Sequence, residues 1–130
     1  MEDSISSPVL VVSRKWQTRA MLAAQIGEVL GQDVVSAASV NEALGLIKLA
    51  GLNPVLVVVD AGQQVNPGDV ERLTEAKRET PLVLIASGLR RDTFDGLRER
   101  CAAYLVRPVS IGRIARAVKL VLEERARHRT

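Results

Sequence analysis

The sequence predicts an α/β domain, one parallel sheet wound by helices on both faces. Two observations predict it. Val9-Leu10-Val11-Val12, Val55 to Val59 and Leu82 to Ala86 are unbroken apolar runs without alternation. Such runs suit strands covered on both faces, the state of a parallel sheet. Helix-length segments separate them, and crossovers of that length demand parallel pairing with right-handed connections. A chain of 130 residues suits one domain.

Residues 1–8 are small and polar and end in Pro8, so a disordered lead-in is expected before a domain of residues 9–124. The run Val9–Val12 is the first strand. Trp16 to Leu30 is the first helix, with Ala20, Ala23, Ala24, Ile26 and Leu30 toward one face and Gly31 as its left-handed stop. Val34–Ala37 is a weaker second strand. Ser39 and Glu42 have capping-box spacing before Ala43-Leu44, Leu46-Ile47 and Ala50, with Gly51 as the stop. Val55–Val59 is the third strand. Asn66-Pro67 starts a helix expected to reach Glu79, as an N-cap with proline at the first helical position. Leu82–Ala86 is the fourth strand, and Asp92 is read as the cap of a short helix over Thr93–Arg100. Ala103–Val106 is a weaker fifth strand. Ser110 starts the last helix, which buries Ile111, Ile114, Ala115, Val118, Val121 and Leu122. Residues 125–130 are a basic tail expected to fray. Five β-α units with no linker give the flavodoxin-like doubly wound fold, strand order 2-1-3-4-5.

Composition excludes several chemistries. The single cysteine, Cys101, leaves no internal disulfide and no cysteine-rich zinc site, and reads as an inert structural thiol. The single histidine, His128, lies in the tail, so histidine-based metal sites and Ser-His or Cys-His catalysis are excluded. Aromatics are 2% of residues, too few for the stacking platforms of single-stranded nucleic acid. No apolar run reaches the roughly 18 residues of a bilayer span. Met1-Glu2-Asp3-Ser4 lacks a signal-peptide pattern, so a cytoplasmic setting without membrane contact is expected. Residues 1–65 hold four Lys/Arg against six Asp/Glu, and residues 66–130 hold fourteen against nine. That asymmetry reads either as a solvated helix face or as a basic docking surface. A net charge of +3 is weak support for nucleic acid, which is not expected as a partner of this domain alone.

In an open parallel sheet, chemistry sits beyond the carboxyl ends of the strands at the switch point, here between the first and third strands. The residues arriving there are Ser13 and Arg14, Asp60, Ala86-Ser87-Gly88, and Arg107-Pro108. Asp60 ends an all-apolar run. It is either a corner cap or a rim carboxylate with a function.

From residue 8 to residue 124 the chain resembles the receiver domain of two-component response regulators. The likeness rests on the order of elements, on Val9–Val12, on Asp60 after Val55–Val59, and on Tyr104-Leu105-Val106-Arg107-Pro108. The resemblance implies that Asp60 matches the phosphoacceptor, Tyr104 the switch aromatic and Pro108 the proline often preceded by a cis bond. It also implies departures. The family's pair of metal-binding acids falls on Ser13 and Arg14. The switch hydroxyl falls on Ala86, or on Ser87 after a one-residue slip. The lysine falls on Arg107, and the loop from Ala61 through Gln64 lacks the usual proline.

Mg²⁺ wants octahedral oxygen donors and carboxylates, so binding is expected to be weak or absent and no cofactor is assigned. Phosphorylation of Asp60 is then expected to be absent or severely slowed, in an atypical pseudo-receiver. Arg14 and Arg107 both reach Asp60, or Arg107 pairs with it while Arg14 points to solvent; a surplus of cations there is a further route to anion binding. Without a hydroxyl at Ala86, Tyr104 is expected to pack at the rim rather than toggle. Trp16 covers the site or anchors the first helix. The expected action is protein contact through the fourth helix, fifth strand and fifth helix, whose basic residues are Arg90, Arg91, Arg98, Arg113, Arg116 and Lys119. The partner is an output domain, another protein or a second copy of the chain, with no catalysis. The alternatives are a functional phosphoacceptor at Asp60 and a small-ligand-binding flavodoxin-like domain, although no GxGxxG or P-loop is present.

Overall fold

The structure, a computed structural model, describes residues 7–62, 65–88 and 91–129. Its elements are β1 (Val9–Val12), α1 (Trp16–Leu30), β2 (Val34–Ala37), α2 (Val40–Lys48), β3 (Leu56–Ala61), α3 (Pro67–Ala76), β4 (Leu82–Ala86), α4 (Arg91–Phe94), β5 (Ala103–Val106) and α5 (Ile111–Arg129). The five strands form one parallel sheet in the order β2-β1-β3-β4-β5, as the sequence predicts.

Strand alternation divides the core into two layers. Val9, Val11, Leu56, Val58, Val83 and Ile85 pack against Leu22 and Ile26 of α1 and Ile114, Ala115 and Val118 of α5. Leu10, Val12, Val57, Val59, Leu84 and Ala86 face the other way, toward α2, α3 and Phe94 of α4. This parity also decides which side each strand-end residue faces.

Local signals act as their chemistry requires. Gly31 caps α1 at φ 64° in the left-handed region, where it carries no Cβ penalty. Ser39 Oγ accepts from the Glu42 amide at 3.0 Å. Asn66 and Asp69 form a reciprocal capping box at α3, with Pro67 in the first turn. Ser110 Oγ accepts from the Arg113 amide at the start of α5.

Several boundaries differ from the sequence reading. β3 runs through Asp60 to Ala61 rather than stopping at Val59, because Asp60 pairs in register with Ile85 and Ala61 with Ala86. α3 ends at Ala76, short of Glu79, because Lys77 leaves helical geometry and Thr80 precedes Pro81, which disfavours helix at Thr80. The short helix expected at Thr93–Arg100 is one turn of α4 followed by a 3-10 segment, Asp95–Arg100, in which Gly96 weakens α-helical continuation. α5 continues to Arg129, beyond the expected end at Glu124. Its last turns carry Leu122, Glu123, Glu124, Arg125, Ala126 and Arg127, all good helix formers, and the arginines suit the negative end of the helix dipole. α1 buries Leu22 and Ile26 along an i, i+4 stripe, leaving Ala20 and Ala24 outside. Residues 1–6 of the expected lead-in lie outside the described residues. Ser7 and Pro8 are tied down instead, accepting hydrogen bonds from Gln32 Nε2 at 2.6 Å and the Val55 amide at 2.9 Å. Among the described residues no helix is long and apolar enough to cross a membrane.

Candidate functional site

Asp60 is the centre of the site, and the sheet register explains its neighbours. Val12 pairs with Val59, so the next residues, Ser13 and Asp60, lie side by side on adjacent strands. Ser13 shares the parity of Val11, and Asp60 that of Val58, so both side chains leave the same face of the sheet. Ser13 is 1% exposed and Asp60 8%. Ser13 Oγ donates to Asp60 Oδ2 at 2.9 Å.

The second carboxylate oxygen is held from β5. Arg107 follows Val106, which pairs with Ala86, and it shares the parity of Leu105 on the α1/α5 face. Its guanidinium reaches past β4 and grips Asp60 Oδ1, with Nη2 donating at 2.9 Å and Nε at 3.2 Å. The Arg107 side chain stays 37% exposed. The Arg107 amide donates to the Ala86 carbonyl at 2.8 Å, and the Arg107–Pro108 peptide is cis. Gly88 belongs to this clamp, since a Cβ there would lie 3.0 Å from the Arg107 carbonyl oxygen.

The strand-end residues do not all converge. Arg14 is exposed on the rim, and among the described residues no acid pairs with it. Arg107 is the cation on Asp60. Ala86 is fully buried in the α2–α4 layer, away from Asp60, whereas Ser87 lines the cavity beside Asp60. Tyr104 packs partly against that same opposite layer. Its hydroxyl donates to Asp95 Oδ1 at 3.5 Å, and Arg98 lies 5.4 Å from its ring centroid. Burial, with the Asp95 carboxylate second, raises the phenol pKa. Trp16 is 66% exposed and lines neither cavity at Asp60, so it does not cover the site. Cys101 Sγ donates to the Leu97 carbonyl at 3.2 Å, and burial pushes its thiol up to about 11 against the opposing pull of Arg100.

The sequence reading missed Arg19. Its Nη1 donates to the Ser13 carbonyl at 2.8 Å and to the Arg14 carbonyl at 3.2 Å. Helical side chains lean toward the N-terminus, so an arginine in the first turns reaches back to the loop that precedes it. The signal was α1's start, which has neither a side-chain cap nor an acid in its first turn.

Asp60 is a single carboxylate with both oxygens engaged, and Ser13 supplies a hydroxyl. Asp69, the other acid nearby, is held by the Asn66 capping box and lies 3.5 Å from Arg72. Among the described residues no group of three metal-binding side chains gathers. A cavity of about 470 Å³ adjoins Asp60, lined by Arg14, Lys15, Ala61, Gly62, Val65, Ser87 and Arg107, and a smaller one of about 120 Å³ lies toward Ser39 and Asn41.

No protein-family model matches the chain, and no curated protein matches it in sequence. Solved structures do match in three dimensions. The receiver domain of NtrX from Brucella abortus superposes with a TM-score of 0.75 at 21% identity, covering 88% of this chain and 98% of that one. The fold is that of a response-regulator receiver domain. A receiver domain protein from Clostridium thermocellum gives 0.75 at 14% identity, covering 92% of this chain and 97% of that one. An adenylate cyclase structure from Rhodopirellula baltica gives 0.77 at 14% identity, covering 92% and 89%. A longer NtrX chain is similar with a TM-score of 0.78 at 21% identity, and this chain covers 96% of its own length and 28% of that one.

Proposed function

We propose that the chain is a non-enzymatic, cytoplasmic signalling module of a phosphorelay, a pseudo-receiver that acts by protein contact without Mg²⁺-dependent phosphorylation. One observation carries the reading. Both Asp60 oxygens are already taken by the chain's own Ser13 and Arg107. Phosphoryl transfer relies on positioning and on neutralising the transferring oxygens, a task shared with a metal. Here a guanidinium holds the carboxylate where a metal would neutralise it, and Mg²⁺ binding is weak or absent.

The contact face is built from α4, β5 and α5. Arg98, Arg113, Arg116 and Lys119 are exposed there, which suits an acidic partner or output domain. Arg90 and the side chain of Arg91 lie outside the described residues. The greater length of the similar NtrX chain supports an output domain as the partner. Dimerisation through the same face is the second possibility, and light scattering across a concentration series tests it. Nucleic acid is not proposed as a target.

Incubation with a small phosphodonor, with and without Mg²⁺, followed by intact-mass measurement, tests the central reading. No added phosphoryl mass is expected in either condition. A stable label on the wild type that is absent from Asp60→Asn overturns it. Ser87 favours a second reading, a functional phosphoacceptor, because its residue lines the cavity beside Asp60. That reading expects the label, and expects Ser87→Ala to reduce it.

A further inference from the structure

We propose that the cavity beside Asp60 binds a phosphorylated small molecule of about mononucleotide size through Arg14 and Lys15. The proposal rests on the pseudo-receiver reading in one respect, since it needs the Asp60 charge to stay tied to Arg107 and Ser13. That pairing sets the local charge. Asp60 and Arg107 offset one another, while Arg14 and Lys15, both exposed on the lining, have no acid paired with them among the described residues. Asp69, the other acid near the rim, is occupied by its cap and by Arg72. Among the described residues the rim therefore carries surplus positive charge where a metal-binding receiver would carry acids.

The cavity suits a ligand larger than a bare ion. Its volume of about 470 Å³ lies within the range of small-molecule sites, about 300–1,000 Å³. Ala61 and Val65 add apolar lining, and Ser87 adds a hydroxyl-bearing residue. The same rim carries the start of α1, a 15-residue helix whose N-cap residue is Lys15 and which has neither a side-chain cap nor an acid in its first turn. Its amides and dipole favour an anion next to the two cations. Arginine takes phosphate oxygens in pairs, and lysine takes them as a point charge.

Isothermal titration in metal-free buffer containing a chelator tests this with AMP, ADP, inorganic phosphate and adenosine as probes. AMP and ADP are expected to bind saturably, adenosine not at all, and inorganic phosphate more weakly than either nucleotide. Arg14→Ala/Lys15→Ala changes only exposed side chains, and is expected to weaken binding at least about tenfold while leaving the melting temperature unchanged. Absence of saturable binding, binding of adenosine equal to that of AMP, or unchanged affinity in the double variant overturns the proposal. Phosphodonor labelling of Asp60 alongside intact AMP binding would overturn the pseudo-receiver reading and leave the anion site standing.

Discussion

Asp60 and Tyr104 stand near the carboxyl end of the sheet, on the central and the outermost strand, and are held in opposite ways. Asp60 is buried on the α1/α5 face, with each oxygen accepting a hydrogen bond at 2.9 Å. Tyr104 is half-buried on the other face, with its hydroxyl 3.5 Å from an exposed carboxylate and its ring beneath an exposed arginine. The strand between them ends in Ala86, a fully buried methyl in the Tyr104 layer. One region is a closed polar clamp and the other a loose aromatic rim, and the alanine provides no polar link between them. The contrast separates the energetics of the two regions. Disturbing the clamp costs stability because a buried charge loses its partner, whereas disturbing the rim costs little because water replaces the contacts.

Substitutions can test that contrast. Phe94→Ala, which empties the largest fully buried side chain on the Tyr104 side, is expected to cost about 3–5 kcal/mol by denaturant unfolding. Arg107→Ala leaves Asp60 buried without a cation and is expected to cost about 1–2 kcal/mol, the low end because the guanidinium is partly exposed. Adding Asp60→Ala to that variant is expected to recover part of the loss, and strict additivity would break the clamp model. Gly88→Ala sets a methyl against the Arg107 carbonyl and is expected to cost about 1 kcal/mol. Tyr104→Phe is expected to change stability by less than about 0.5 kcal/mol, and a larger loss would place the rim in the same class as the clamp. The smallest effect is in pH. The Cys101 thiol is raised from its ordinary 9.0 to about 11, so the folded state favours the neutral form. Its contribution to stability is complete below pH 9 and is lost as pH rises toward 11, with slow thiol labelling of the native chain below that window as the measurable sign.

Much of the architecture was legible because unbroken apolar runs and cap residues carry local physics. The strand order and the starts of α2, α3 and α5 followed from them. The end of β3 did not, because a carboxylate looks like a strand terminus until its pairing with β4 is known. Residues 86 and 87 could not be separated by spacing alone. Parity in the assembled sheet separates them, sending Ala86 into one layer and Ser87 toward Asp60. Arg107 was expected on Asp60 either way, and whether Arg14 joined it needed the assembled rim, where Arg14 is exposed. Arg19 stayed hidden because its partners are backbone carbonyls, and the uncapped, acid-free start of α1 was the one trace of it in the sequence.

The Arg19 bridge couples the geometry of a loop to the position of a whole helix. A guanidinium that ties two consecutive carbonyls to the next helix joins loop and α1 through one side chain. Leu22 and Ile26 seat that helix against Ile114 and Val118 of α5. Residues 13 and 14 are thereby tied, through Arg19 and the packed Leu22 and Ile26, to the α5 helix that also builds the proposed contact face.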